Sequence, residues 1–227
     1  MGRQGRRVTV VVLLGAPGAG KGTQAPLLSA HLGVPHVATG DLFRAAVRDG
    51  SPVGLQARRY MERGQLVPDD ITIAMLLDRL GQPDAHGGVI LDGFPRNRAQ
   101  AVALDAALGE RGTGVSRALS IDVPLDELVR RLSGRWVCSV SGHVYNEHSN
   151  RPKEPGVCDL DGSPLVQRED DKAETIRARM DLTLASLAEV ADHYARTGVL
   201  RSVDGVQPIT AVTDALIGHL ASVGATD

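Results

Sequence analysis

Gly15-Ala16-Pro17-Gly18-Ala19-Gly20-Lys21-Gly22-Thr23 is the stretch around which the rest of the chain is ordered. The seven residues before it, Val8-Thr9-Val10-Val11-Val12-Leu13-Leu14, are almost wholly apolar and mostly β-branched, as in a strand buried on both faces. After it, Thr23 to Leu32 carries apolar residues near helical spacing, and Gly33 is placed to cap the helix end. Strand, glycine loop and helix form the context in which such a loop binds phosphate. Glycines let backbone N–H groups approach phosphate oxygens without Cβ clashes, and the helix N-terminus adds partial positive charge. Lys21 then supplies a mobile cation for the outer phosphates, and Thr23 a hydroxyl near Mg²⁺. A glycine-rich strand-to-helix turn without a ligand is the plain alternative. One detail departs from the common pattern: Gly22, not Ser or Thr, follows the lysine, so the hydroxyl arrives one residue late.

The chain has 227 residues, 42% of them apolar and 23% charged, which fits one globular domain or a core carrying insertions. Aromatics are only 3%, so aliphatic side chains must build the core. A formal net charge of −2 gives no general reason to bind nucleic acid or an anionic membrane. Two cysteines, Cys138 and Cys158, are too few for a disulfide scaffold. The start is basic, but its apolar run is short and leads into the loop, so it reads as a strand and not a signal peptide. Gly2 lacks the following Ser or Thr of a myristoylation signal. The expectation is a cytoplasmic protein.

Along the chain, His36-Val37-Ala38 reads as extended, and Thr39-Gly40-Asp41 as a turn whose Thr or Asp caps a helix over 42–47. A second helix runs over 53–63, Gln65 to Pro68 is an extended connection, and Asp69-Asp70 place acidic charge at the positive end of a helix ending at Leu80. Val89-Ile90-Leu91-Asp92 is a second buried strand, with Asp92-Gly93-Phe94-Pro95-Arg96 at its C-terminal end, where ligands of doubly wound sheets collect. An acidic residue at such a tip beside a phosphate loop orients water around Mg²⁺; a surface turn is the bland reading. A helix over 97–108, a strand over 118–123 and a helix ending at Leu132 follow. From Gly134 to Asp171 helical periodicity gives way to Gly, Pro, Ser and Asp around short strand-like pieces at 136–138 and 143–145. That length predicts an inserted subdomain. A long helix over 172–196, a strand over 199–203 and a helix over 208–220 close the chain. Strands alternating with helices predict an α/β fold, a parallel sheet with helices on both faces.

The chain resembles the adenylate kinases, members of the nucleoside monophosphate kinase family with a long lid. The resemblance rests on the loop through Gln24, on Thr39-Gly40-Asp41, on Asp92 to Arg96 with Gln100, and on Arg168-Glu169-Asp170-Asp171, in the family's order. It implies a P-loop NTPase-like core of five parallel strands (1–38, 68–133 and 172–227), a mobile AMP-binding segment (39–67) and a mobile lid (134–171). It also implies a monomeric enzyme that transfers a phosphoryl group reversibly from ATP to AMP, giving two ADP, with Mg²⁺. Matched residue by residue, Gly18, Ala19, Gly20, Lys21, Gly22 and Thr23 hold the ATP phosphates, with Arg135, Val144, Tyr145 and Gln207 also on the ATP side. Thr39, Arg44, the backbone of Gln65, Leu66 and Val67, then Gly93, Phe94, Pro95, Arg96 and Gln100 bind AMP, with Arg168 and Arg179. Lys21, Arg96, Arg131, Arg135, Arg168 and Arg179 form the catalytic set, and Thr23 and Asp92 stand near Mg²⁺.

The chemistry agrees with that set. Transfer between two nucleotides needs two anions held in line and the charge on the migrating group neutralised, which arginines from distant segments do through their planar forks. A lid is needed because water in an open site would accept the phosphoryl group. The competing expectations are a kinase of the same fold using GTP as donor or UMP or CMP as acceptor, and a non-catalytic nucleotide switch. Gln100 and Thr39 favour AMP, Asn97 after Arg96 resembles the pyrimidine kinases, and no Asn-Lys-x-Asp guanine motif occurs. In the lid, Cys138-x₂-Ser141-x₁₆-Cys158-x₂-Asp161 has the spacing of the zinc knuckle of some family members, but serine is a poor zinc ligand. Cys138, Cys158 and Asp161 give three of the four donors that zinc needs, with His143 available as the fourth. A metal-free polar network and a Cys138–Cys158 disulfide are the other two readings, the metal-free one being preferred.

Overall fold

The computed structural model describes residues 9–61, 67–167 and 173–221, with the side chains of 173–175, 177–179 and 221 outside the description. The chain runs β1 (Thr9–Leu14), α1 (Lys21–Leu32), β2 (His36–Ala38), α2 (Thr39–Arg48), α3 (Pro52–Met61), α4 (Asp69–Leu80), β3 (Gly88–Asp92), α5 (Arg98–Glu110), β4 (Val115–Asp122) and α6 (Leu125–Ser133). It continues through β5 (Arg135–Cys138), β6 (Val144–Asn146) and β7 (Leu165–Val166), then α7 (Ala173–Arg196), β8 (Leu200–Asp204) and α8 (Ile209–Ala221). A five-stranded sheet has the order β2-β3-β1-β4-β8, every pairing parallel.

β1 lies at its centre because its side chains are apolar on both faces. Val11 and Leu13 join one core with Ala25 and Leu28 of α1, Leu128 and Leu132 of α6, and Val212 and Leu216 of α8. Val10, Val12 and Leu14 join the other, with Leu76 and Leu80 of α4 and Ala101, Leu104 and Leu108 of α5. The split follows from the two-residue period of a strand, and both faces must be covered because crossover helices lie on each. α7, 24 residues and therefore about 36 Å long, serves both cores: Ile176 and Met180 enter the first, Val190 and Tyr194 the second.

The chain leaves β1 for β2 on one side of the sheet and β3 for β4 on the other. That reversal opens a crevice at the C-terminal strand ends, where the glycine loop and Asp92 emerge. Between α6 and α7, β6-β5-β7 form a separate antiparallel sheet over a small core of Cys138, Tyr145, Cys158 and Leu165. The texture change after Gly134 is therefore a folded subdomain. Among the described residues no helix is long and apolar enough to cross a membrane.

Several local expectations shift. The helix expected from Leu42 begins at Thr39, with Ala38 as its N-cap and no side-chain cap bond, because the Thr39 hydroxyl is used elsewhere. β4 starts at Val115, drawn out by its pairing with β1. The two-residue strand β7 and a 3₁₀ turn at Pro83–Ala85 carry no periodic signal and were not expected. Gly33 caps α1 in the left-handed conformation, its N–H donating to Ser29 O, as expected. Val8, Gln65, Leu66 and Arg168 lie outside the described residues, as does the Arg179 side chain.

Candidate active site

The loop after β1 turns into α1 at Gly20, which has φ 105° and offers no side-chain cap, and the first turn carries no acidic residue. Ala19 N–H donates to Ala16 O at 3.0 Å and Thr23 N–H to Gly20 O at 3.0 Å. The N–H groups of Gly18, Gly20, Lys21 and Gly22 bond to no described protein group. Such donors at a helix start make an anion site. Gly18 must be glycine: its φ is +85°, and a Cβ there would stand 2.9 Å from Leu132 Cγ. Lys21 lies back over the loop, donating from Nζ to Gly15 O at 2.6 Å and Ala16 O at 3.2 Å. Burial lowers its ammonium below the ordinary value; Asp92 opposes that, and Arg96 and Arg135 add to it. Residues from the β1 loop, the tip of β3, the turn after it and β5 thus act on one charge.

Asp92 ends β3 with its side chain 14% exposed and His36 Nε2 3.4 Å from Oδ2, an electrostatic contact and not a well-formed hydrogen bond. Burial alone would raise its carboxyl; His36, Lys21 and Arg96 outweigh burial and hold it below the usual carboxylate range. It is therefore an anion at neutral pH, as a group that orients metal-bound water must be.

Gly93, φ +77°, follows, and a Cβ there would meet Thr39 Oγ1 at 3.1 Å. Its carbonyl accepts from Thr39 Oγ1 at 3.0 Å and from Arg96 Nε at 2.8 Å. One carbonyl thereby ties the start of α2 to the turn after β3, although 54 residues separate Thr39 from Gly93. Phe94 is buried, and the Phe94–Pro95 bond is cis. Gln100, buried on the first turn of α5, accepts from Arg96 N–H at 2.8 Å. Asn97 caps α5 by accepting from Gln100 N–H at 2.9 Å and donates to Asp69 at 3.0 Å. Both ends of that amide are thus used within the protein, so Asn97 is no sign of a pyrimidine acceptor. Arg44 is paired with Asp41 one helical turn away. Val67 is half-buried beside α4.

The arginines beyond β4 are held by partners that motif reading passes over. Glu127 accepts from Arg131 Nε at 2.7 Å and from Arg130 at 2.7 Å, and Arg131 also donates to Gly205 O at 2.9 Å, bridging α6 to the end of β8. Arg130 first and Arg131 after it pull the Glu127 carboxyl down to about 2. Gln207 donates to Asp204 Oδ2 at 2.9 Å. Gln24 is not on the phosphate loop's open side: buried, it donates to Ile209 O at 3.1 Å and accepts from Thr213 Oγ1 at 2.7 Å, joining α1 to α8. Tyr145 faces the lid core, where its hydroxyl accepts from Asp159 N–H at 2.8 Å and lies 3.5 Å from Cys158 Sγ, while Val144 is 52% exposed.

In the subdomain of β5, β6 and β7, Cys138 Sγ, His143 Nδ1, Cys158 Sγ and an Asp161 oxygen lie within 4.8 Å of one another. Both cysteines are free, so the disulfide reading falls. The Ser141 hydroxyl sits among these donors, 3.0 Å from Cys138 Sγ and 2.7 Å from His143 Nδ1, and hydrogen-bonded to Asp161. Ser141 and the Ser163 N–H hold the Asp161 carboxyl well below the usual carboxylate range.

Comparison with known proteins places this geometry. The adenylate kinase family profile matches residues 13–199, a span that holds the glycine loop, the turn after β3 and the whole lid. An adenylate kinase of Brevibacillus brevis is 46% identical over 202 residues, covering 89% of this chain and 94% of its own. One from Thermodesulfovibrio yellowstonii is 48% identical over 210 residues, 92% of this chain and 98% of its own. One from Streptomyces griseus is 48% identical over 204 residues, 89% and 93% of the two chains. Agreement at that level, over about nine-tenths of the chain, leaves no room for a borrowed loop on another scaffold, and the chain belongs to the adenylate kinase family.

Proposed function

We propose that the chain transfers the terminal phosphoryl group of ATP to AMP, reversibly, giving two ADP, and that the residues gathered at the strand ends perform it. The bond from the γ-phosphorus to the β,γ-bridging oxygen breaks as one forms to an oxygen of the AMP phosphate. Total charge is equal on both sides. With a second pKa of about 6, the accepting phosphate is largely a dianion at neutral pH, so no general base is required. What remains is to hold two polyanions in line and neutralise the migrating group.

The observation that carries this reading is the convergence of Lys21, Asp92, Arg96 and Arg135, from three separate segments, onto one electrostatic centre beside uncommitted loop amides. The N–H groups of Gly18, Gly20, Lys21 and Gly22 take the ATP phosphates, with Ala19 completing the loop and Thr23 at its edge. Arg96 and Arg44 take the AMP phosphate, with Thr39, Gly93 to Pro95 and Val67 forming the walls of the AMP site and Gln100 its base contact. Arg131 and Arg135 line the path between, and the family resemblance assigns Arg168 and Arg179 to the same task. Val144 and the backbone of Tyr145 cover the ATP base, with Gln207 on its other side. Asp92, an ionised carboxylate at a strand tip, and the exposed Thr23 hydroxyl suit Mg²⁺ held through water and phosphate. Bound there, the ion neutralises charge on the phosphate oxygens. The segment 39–67 and the lid 134–171 close over a core of 1–38, 68–133 and 172–227, excluding water. The chain acts as a monomer in the cytoplasm.

The test is a steady-state assay with ATP and each monophosphate, repeated with GTP. AMP is expected to exceed UMP and CMP by at least about a hundredfold in kcat/KM, the scale at which base-reading hydrogen bonds discriminate. Equal use of UMP or CMP overturns the acceptor, GTP matching ATP overturns the donor, and tight nucleotide binding without turnover makes the chain a switch.

The lid knuckle works without metal, and the support is the Ser141 hydroxyl, which already bonds to three of the four candidate donors. Such a network braces the lid by hydrogen bonds worth about 1 kcal/mol each, whereas structural zinc contributes several times more. Protein purified under reducing conditions should hold well under one zinc per chain, and a chelator should leave its Tm unchanged. Ser141→Cys should raise Tm only when zinc is supplied. Stoichiometric zinc in the unaltered protein contradicts this and makes His143 the fourth ligand.

A further inference from the structure

The Gln100 carboxamide is wired at both ends, and its wiring has a polarity. A backbone N–H can only donate, so the side-chain atom facing Arg96 N at 2.8 Å is Oε1. Nε2 is then fixed on the other side, where it donates to Asp69 Oδ1 at 2.5 Å. Asp69 is itself gripped: Asn97 Nδ2 donates to its two oxygens at 3.3 and 3.0 Å, while Asn97 Oδ1 caps the helix that carries Gln100. Gln100 is buried, so a wrongly turned amide would not be rescued by water. One Nε2 hydrogen and one Oε1 lone pair bond to no described protein group.

We propose that Asp69 is a specificity-determining positioning residue, locking the Gln100 amide in the orientation that accepts a 6-aminopurine and refuses a 6-oxopurine. This rests on the reading that AMP is the acceptor with Gln100 against its base. The adenine edge offers an acceptor at N1 and a donor at the 6-amino group, the complement of a fixed Nε2–H and Oε1. Guanine and hypoxanthine offer the reverse, N1–H and O6. Reading them in the same pose requires the amide to turn over. Nε2 would then face the Arg96 N–H, donor against donor, and Oε1 would face the Asp69 carboxylate, acceptor against acceptor. Buried unpaired groups of that kind are what make such discrimination large.

The probe is inosine monophosphate, which differs from AMP only at C6 and N1. In the full chain, Asp69→Asn keeps the shape but can present an amide nitrogen to Gln100, which removes the acceptor-against-acceptor clash of the turned amide and leaves only its donor clash with the Arg96 N–H. The AMP:IMP ratio of kcat/KM should fall at least about tenfold, mainly through IMP becoming a better acceptor, with the KM for ATP unchanged. Asn97→Ser preserves the helix cap while removing one donor to Asp69, and should move the ratio the same way by less. On a Gln100→Ala background, Asp69→Asn should change the ratio no further, because the two act in series. The proposal is overturned if AMP and IMP activities fall together in Asp69→Asn. It is also overturned if the ratio shifts equally with Gln100 absent, or, should Asp69→Asn not fold, if Asn97→Ser leaves the ratio at its wild-type value. Failure of the unaltered chain to use AMP at all would instead sink the acceptor assignment.

Discussion

Replacing Lys21 with alanine should lower turnover at least about a hundredfold, the scale of several kcal/mol that one preorganised charge or donor contributes to a transition state. The side chain belongs to neither hydrophobic core, and among the described residues its ammonium bonds only to the carbonyls of its own loop, Gly15 and Ala16. Because the deleted group is a desolvated cation that packs into neither core, the stability cost should stay within about 1 kcal/mol, or a Tm shift of roughly 2–4 °C. Arg96 and Arg135, which act on the Lys21 charge from other segments, should not replace the lost cation. Lys21→Arg separates charge from shape: a guanidinium restores the sign but not the compact reach of an ammonium, and it should recover only a small part of the loss. Steady-state turnover with a thermal melt on the same samples measures both halves. An alanine variant that keeps more than about a tenth of wild-type turnover removes Lys21 from the role of phosphate clamp.

How far the sequence reveals this arrangement depends on how local each feature is. β1 is legible because a run of β-branched residues has only one economical fate, a central strand, and its two-core split follows from the period of the pleat. The glycine loop is legible because backbone donors need glycines at fixed intervals. Asp92 is legible by its place at the end of a buried run. What escapes is held by contacts across the chain. His36 is one polar residue in a three-residue strand, and nothing nearby announces that it meets Asp92. Asp69 reads as a dipole-complementing residue at the start of α4, which it is, but its bond to Gln100 spans 31 residues and leaves no spacing to recognise. Thr39 lies beside Asp41 in a capping-like turn, yet Gly93 O takes its hydroxyl. In the lid the cysteine spacing suggests metal, whereas the decisive atom is the Ser141 oxygen between the donors. Glu127 orients Arg131 through an i,i+4 contact that many surface helices also display.

Removing Arg96 should weaken AMP binding roughly 30- to 150-fold while changing ATP binding less than about threefold, since one charge-assisted bidentate grip on phosphate contributes about 2–3 kcal/mol. The guanidinium is already anchored without nucleotide, its Nε donating to Gly93 O at 2.8 Å. Little side-chain entropy remains to be lost on binding, so most of the interaction appears as affinity. Its loss leaves the Gly93 carbonyl still bonded to Thr39 Oγ1, so the turn after β3 keeps one tie and the wall of the acceptor site survives. Arg44 makes the contrast. It must leave its pairing with Asp41 to reach a nucleotide, and that pairing is exposed and contributes at most about 1 kcal/mol. Arg44→Ala should therefore cost AMP affinity several-fold less than Arg96→Ala, and Asp41→Ala should improve AMP binding slightly by freeing Arg44. Calorimetric titrations of each variant with AMP and with ATP measure all of this. Equal losses for the two nucleotides in Arg96→Ala would mean that Arg96 lies between the sites and does not belong to the acceptor, and the assignment of the β3 turn to AMP would fall with it.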